Sequence, residues 1–131
     1  MNLVKEKRVL LLATKEASKV LKKYYGRKGA VKIKPNRSLV SVADLEADKV
    51  IKKTIKKYFS KHNILTEESG FEDNGSDYKW VIDPIDGTHN FIRGIPIFGT
   101  SIALEYRNDV VLGALDFPIL KLTAIAEKNK G

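Results

Sequence analysis

Asp83 and Asp86, separated by Pro84 and Ile85 and followed by Gly87 and Thr88, have the residue types and spacing in this chain best suited to chemistry. Pro84 has no backbone N–H to give to a sheet ladder, so the apolar run Trp80-Val81-Ile82 is expected to stop as a strand where Asp83 begins. A kinked Asp-Pro-Ile-Asp can then aim both carboxylates and the Ile85 carbonyl into one small volume. That all-oxygen setting suits a hard divalent cation such as Mg²⁺. The amides of Gly87, Thr88 and His89 are expected at a helix N-terminus, where unpaired N–H groups and the helix dipole favour an anion such as phosphate. An isolated Asp-Pro or Asp-Gly is merely a polar turn; the whole run is far more specific.

Acids elsewhere could join this pair. Ser41-Val42-Ala43-Asp44 opens an apolar stripe of Leu45, Val50, Ile51, Ile55, Tyr58 and Phe59, the pattern of a helix to about Ser60. Read from these residues alone, Asp44 is a helix-capping carboxylate worth about 1 kcal/mol. Asn63-Ile64-Leu65-Thr66 reads as a short strand running into Glu67-Glu68-Ser69-Gly70. Paired acids at a strand end are usually solvated, yet adjacent carboxylates repel one another unless a cation or solvent screens them.

The run Asp83-Pro84-Ile85-Asp86-Gly87-Thr88-His89-Asn90-Phe91 resembles the signature of the inositol monophosphatase family, within the lithium-sensitive, Mg²⁺-dependent sugar and inositol phosphatases. Val40-Ser41-Val42-Ala43-Asp44 is similar to that family's Val-Thr-x-x-Asp, with Ser for Thr. Thr66-Glu67-Glu68 matches the acids of its Gly-Glu-Glu and departs at the glycine, where threonine reaches positive φ less readily. The resemblance implies that Glu67, Asp83 and the Ile85 carbonyl hold one Mg²⁺, that Asp83 bridges to a second also held by Asp86, and that Glu67 shares a third, weaker ion. Asp44 and Thr88 would be the hydrogen-bonded pair that deprotonates the attacking water, with Glu67 joining the catalytic set. Ile85, Asp86, Gly87 and Thr88 would meet the substrate phosphate. Glu68 would orient metal-held water, and Lys34 roughly matches a basic position near the metals. Metals about 4 Å apart neutralise a phosphate ester and acidify water. The implied reaction is Mg²⁺-dependent hydrolysis of inositol monophosphate or a related sugar phosphate, such as fructose 1,6-bisphosphate, by in-line attack of water without a phosphoenzyme.

These residues need elements to carry them. Over residues 3–25, Leu10, Ala13, Ala17, Val20, Leu21 and Tyr24 recur at helical spacing, and Gly26 can cap the end. Short strands at 31–33 and 38–40 are expected about a turn at Pro35-Asn36-Arg37, and residues 71–77 read as a flexible loop able to close over the site. Strands follow over 99–106, 110–117 and 122–126, with a turn at Arg107-Asn108-Asp109. Little clean alternation in these strands predicts helices over at least one sheet face. The expected fold is α+β: two long N-terminal helices packed on a mainly antiparallel sheet, the front half of the layered α/β sandwich of the sugar phosphatase fold.

At 131 residues the chain has the size of one domain, read as the N-terminal, metal-binding portion of an inositol monophosphatase-like domain, with the C-terminal portion absent. The absent part would supply a Trp-Asp-x-Ala-Ala motif that neither Asp109 nor Asp116 fits. A non-catalytic remnant or metal-binding module is the alternative. The complete protein is expected to be a homodimer. With no cysteine, disulfides, thiolate metal sites and a cysteine nucleophile are excluded. His62 and His89 are expected to be structural. No apolar run reaches the roughly 18 residues of a membrane span and the first residues lack a secretion signal, so a soluble cytoplasmic protein is expected. A net charge of +8 admits nucleic-acid binding, but the lysines fall in helical runs opposite apolar stripes, and a basic surface equally attracts a phosphate ester.

Overall fold

The computed structural model describes residues 1–26, 31–33 and 39–130. Helix α1 (Val4–Tyr24) buries Val9, Leu10, Ala13, Thr14, Ala17, Val20 and Leu21, a stripe at three- and four-residue spacing. Its first amide, that of Val4, is taken by the Asn2 side chain at 3.0 Å, and Lys22 and Lys23 complement the dipole of the last turn. Strands β1 (Val31–Ile33) and β2 (Leu39–Ser41) pair antiparallel, as expected of a hairpin. Its turn at 35–37, Lys34 and the Ser41 side chain lie outside the described residues.

Helix α2 (Val42–Tyr58) buries Ala43, Asp44, Ala47, Asp48, Ile51 and Ile55. The C-terminal half of that stripe is aliphatic, whereas its N-terminal half alternates alanine with acid. Aliphatic packing anchors the helix, and the carboxylates beside the alanines go to the site.

The remaining strands are β3 (Asn63–Thr66), β4 (Gly70–Glu72), β5 (Tyr78–Asp86), β6 (Gly99–Tyr106), β7 (Asp109–Phe117) and β8 (Leu122–Glu127), with a short helix α3 (Thr88–Ile92) after β5. They form one sheet in the order β4-β3-β5-β6-β7-β8. Only β3 and β5 run parallel; the other neighbours are antiparallel. Arg107 and Asn108 both adopt positive φ, 50° and 67°, giving the tight mirror-image turn that suits strand twist between β6 and β7. Trp80, Ile82, Ile102, Leu104, Leu112 and Ala114 point to one face and form a continuous core with α1 and α2. Helices on one face of a mainly antiparallel sheet are the α+β architecture expected.

The opposite face is open and apolar. A hollow of about 480 Å³ runs along it, lined among others by Ser101, Ala103, Gly113, Leu115, Ala124 and Ala126. The outer strand β8 is exposed along most of its length.

Two local expectations are corrected. Strand β5 does not stop at Asp83 but continues through Pro84 to Asp86, with a register shift between Asp83 and Asp86. A bulge is where proline's missing donor does least harm, and the Thr100 hydroxyl satisfies the Pro84 carbonyl at 2.9 Å. Residues 71–77 are not a loop over the acids. Phe71 and Glu72 belong to β4, and the rest is tied to the far end of β3, where Asn63 accepts from the amides of Asn74 and Ser76 at 2.7 and 3.2 Å.

Candidate active site

The parallel ladder decides what meets. Thr66 pairs with Ile82, so the residues following β3 and the last residues of β5, Asp83 to Asp86, lie at the same rim of the sheet. One strand delivers Glu67 and Glu68, the other Asp83 and Asp86. The N-terminal half of α2 brings Asp44, 5% exposed, to the same place.

Burial pushes the Asp44 carboxyl up to about 8, and its hydrogen bond with Glu68 and the charges of Glu68, Asp83 and Glu67 act in the same direction. Asp83 is also raised, first by burial, then by the charges of Asp86 and Glu67, with the Ile85 amide opposing as a donor to its carboxylate. The charges of Glu67, Glu68 and Asp83 thus act on Asp44, and those of Glu67, Glu68 and Asp86 on Asp83. Among the described residues no three histidine, aspartate or glutamate side chains are grouped so that they could hold a metal ion. The donor chemistry nonetheless fits Mg²⁺: these are carboxylate oxygens whose mutual repulsion a hard dication relieves, and the Ile85 carbonyl lies between Asp83 and Asp86 in the chain.

Beside the acids the backbone turns at Gly87, whose φ is +87°. A Cβ there would stand 3.1 Å from the Ile97 carbonyl oxygen, so both the turn and the close approach require glycine. Helix α3 then begins at Thr88, whose hydroxyl donates to the Ile85 carbonyl at 3.2 Å. With its proton given to Ile85, the Thr88 oxygen keeps its lone pairs to accept a further hydrogen bond. The turn is fastened from behind: Tyr25 donates to the Gly94 carbonyl at 2.7 Å, Asn90 to the Ile97 carbonyl at 2.8 Å, and the Phe91 and Phe98 rings meet edge to face.

Sequence reasoning missed Asp48. It lies one helical turn beyond Asp44, is 5% exposed, and accepts hydrogen bonds from the hydroxyls of Thr66 and Ser69, the latter at 2.9 Å. Thr66 itself has no positive φ, and its oxygen accepts the amides of Glu68 and Ser69 at 3.0 and 3.3 Å. The signal was present: an acid at i+4 from Asp44, between Ala47 and Ile51 on a stripe that should be apolar. His62 is structural, its ring stacked between Phe59 and Tyr78.

The profile of the inositol monophosphatase family matches residues 5–131. The chain belongs to that family. Among its relatives, a fructose-1,6-bisphosphatase/inositol-1-monophosphatase of Aquifex aeolicus is 38% identical over 119 residues, covering 89% of this chain and 45% of the relative. The bifunctional phosphatase IMPL2 of Arabidopsis thaliana is 41% identical over 107 residues, 80% of this chain and 31% of the relative. The crystal structure of the extragenic suppressor protein suhB of Bartonella henselae superposes with a TM-score of 0.88 at 36% identity, over 95% of this chain and 49% of that one. The chain thus spans about half the length, or less, of these relatives. No helix among the described residues is long and apolar enough to cross a membrane.

Proposed function

We propose that this chain carries the metal- and phosphate-binding part of a Mg²⁺-dependent phosphomonoesterase that hydrolyses inositol monophosphate or a related sugar phosphate. The observation that carries the reading is the parallel register of β3 and β5, which brings the turn holding Glu67 and Glu68 alongside Asp83, together with the burial of Asp44 on α2. Such crowding of like charge is costly for a fold and is useful to a cation site. Glu67, Asp83, Asp86 and the Ile85 carbonyl would hold two or three Mg²⁺. When bound, these ions would neutralise the phosphate dianion and acidify the attacking water.

The chain's own groups do the rest. Asp44, ionised once bound cations relieve the crowding of charge around it, accepts the proton of the attacking water, and Thr88 orients that water. Glu68 holds Asp44 in place through their shared hydrogen bond. The amides of Gly87 and Thr88, with Ile85 and Asp86 beside them, receive the phosphate. Water then displaces the alcohol in line. The names of the relatives support a phosphate ester as substrate, and the half of the fold beyond this chain would choose among esters and complete the homodimer.

The test is release of phosphate from inositol 1-phosphate in Mg²⁺ and in EDTA, by this chain alone and with the C-terminal half of a family member supplied in trans. Little release by the chain alone, and Mg²⁺-dependent release by the mixture that Asp83→Asn abolishes, is expected. A mixture whose two halves associate yet hydrolyse neither inositol 1-phosphate nor fructose 1,6-bisphosphate would overturn the reading.

A further inference from the structure

We propose that Asp48 is a positioning residue, which fixes the Glu67-Glu68 turn in its cation-binding shape through the hydroxyls of Thr66 and Ser69. The inference rests on the assignment of Glu67 to the cation site. Thr66 and Ser69 bracket the two glutamates, and Asp48 receives both hydroxyls on different oxygens: Thr66 on Oδ1, and Ser69 on Oδ2 at 2.9 Å. Because the Thr66 proton is committed to Asp48, its lone pairs face the chain, where they take the amides of Glu68 and Ser69 at 3.0 and 3.3 Å. A continuous relay thus runs from α2 through one threonine oxygen to the backbone of the acid turn, and each bond in it polarises the next.

Stability alone gives little reason for a carboxylate here. Asp48 occupies a core stripe of α2 at 5% exposure, where an apolar side chain would pack without desolvating a charge. Its hydrogen-bond partners are hydroxyls rather than a cation: Lys52, one turn on, instead meets Ser69 Oγ at 3.1 Å and Glu72 at 2.6 Å. A buried acid that spends both oxygens on residues flanking a candidate ligand is the arrangement by which groups behind a metal site set the direction of the groups that touch it. Helix α2 is thereby registered to the turn twice, by Asp44 through Glu68 and by Asp48 through Thr66 and Ser69.

The experiment is Mn²⁺ binding by titration calorimetry to the chain and to Asp48→Ala, Asp48→Asn, Thr66→Val and the Asp48→Ala/Thr66→Val pair. It is read beside the metal-free thermal melt and the hydrogen exchange of the Glu68 and Ser69 amides. Asp48→Ala and Thr66→Val should each weaken Mn²⁺ binding about tenfold and speed exchange at those amides. The double variant should be no worse than Asp48→Ala, and Asp48→Asn, which still offers Thr66 an acceptor, should recover most of the affinity. Thr66→Val is nearly isosteric and decides the matter if Asp48→Ala does not fold. Affinity within twofold of wild type in Thr66→Val and the folded Asp48 variants, with binding lost in Asp83→Asn, overturns this proposal and spares the metal site. Binding indifferent to Asp83→Asn overturns both.

Discussion

The indole N–H of Trp80 donates to Nδ1 of His62 at 3.1 Å, so the imidazole is held neutral with its proton on Nε2. Burial, helped by the charge of Lys5, lowers the affinity of His62 for a second proton. The folded chain therefore binds fewer protons than the unfolded chain between the lowered value and the ordinary one near 6.5. The contribution of this contact is complete above that ordinary value and is lost as pH falls below it. Urea midpoints at pH 7.5 and 5.5 should show the loss, and His62→Phe should shrink the difference; an unchanged difference would refute the assignment.

Asp44 has the opposite sign. Its carboxyl is raised to about 8, so the folded chain binds more protons than the unfolded one from about pH 4 up to that value, and stability declines across this window. In EDTA at pH 8, Asp44→Asn should stabilise the chain by on the order of 1 kcal/mol, because an amide keeps a hydrogen-bonding group without the repelled charge. The same change should remove phosphate release from the two-half mixture. A lower melting temperature for Asp44→Asn in EDTA would contradict the account of the site's electrostatics.

Gly87 and Gly99 fail differently when a methyl is added. Gly87→Ala must hold alanine at φ +87°, at a cost of about 1–2 kcal/mol, and should also disturb phosphate capture because the strain falls beside Thr88. At Gly99 a Cβ would come within 2.1 Å of the Asp116 carbonyl oxygen, in the backbone of the neighbouring strand. Gly99→Ala should therefore cost more than Gly87→Ala, since β6 and β7 must separate to admit it. Chemical denaturation of the two variants gives the order.

Leu115 is 42% exposed on the open sheet face. Contiguous apolar surface of this kind promotes association. Leu115→Glu should reduce self-association and binding of a hydrophobic dye by this chain, while changing its stability by no more than about 0.5 kcal/mol. A large destabilisation would mean that the face is packed rather than open.

Much of this was legible in the sequence, because local pattern and tertiary need agreed. The stripe of α1, the turn at Arg107 and Asn108 and the Asp-Pro-Ile-Asp-Gly-Thr run are read from neighbours in the chain, whereas on α2 only Ile51 and Ile55 of the expected stripe are fully buried and Leu45 and Tyr58 are exposed. Pro84 misled because its missing N–H suggests the end of a strand, whereas a bulge and the Thr100 hydroxyl let β5 carry it. Residues 71–77 misled because polar composition reports solvent contact and not the tether at Asn63. Asp48 was overlooked because its partners, Thr66 and Ser69, are brought to it only by the docking of α2 on the sheet.

The parallel ladder of β3 and β5 has a consequence for redesign. Since β3 and β5 point the same way, their outgoing ends share a rim, and a crossover rather than a hairpin is what lets distant stretches of sequence cooperate. A rearranged gene that re-entered β3 from the other direction could keep every hydrophobic contact layer intact and yet carry Glu67 to the opposite shore of the sheet from Asp83. Glu67 and Asp83 would then no longer share a rim, a parting brought about by the direction of a strand of four residues.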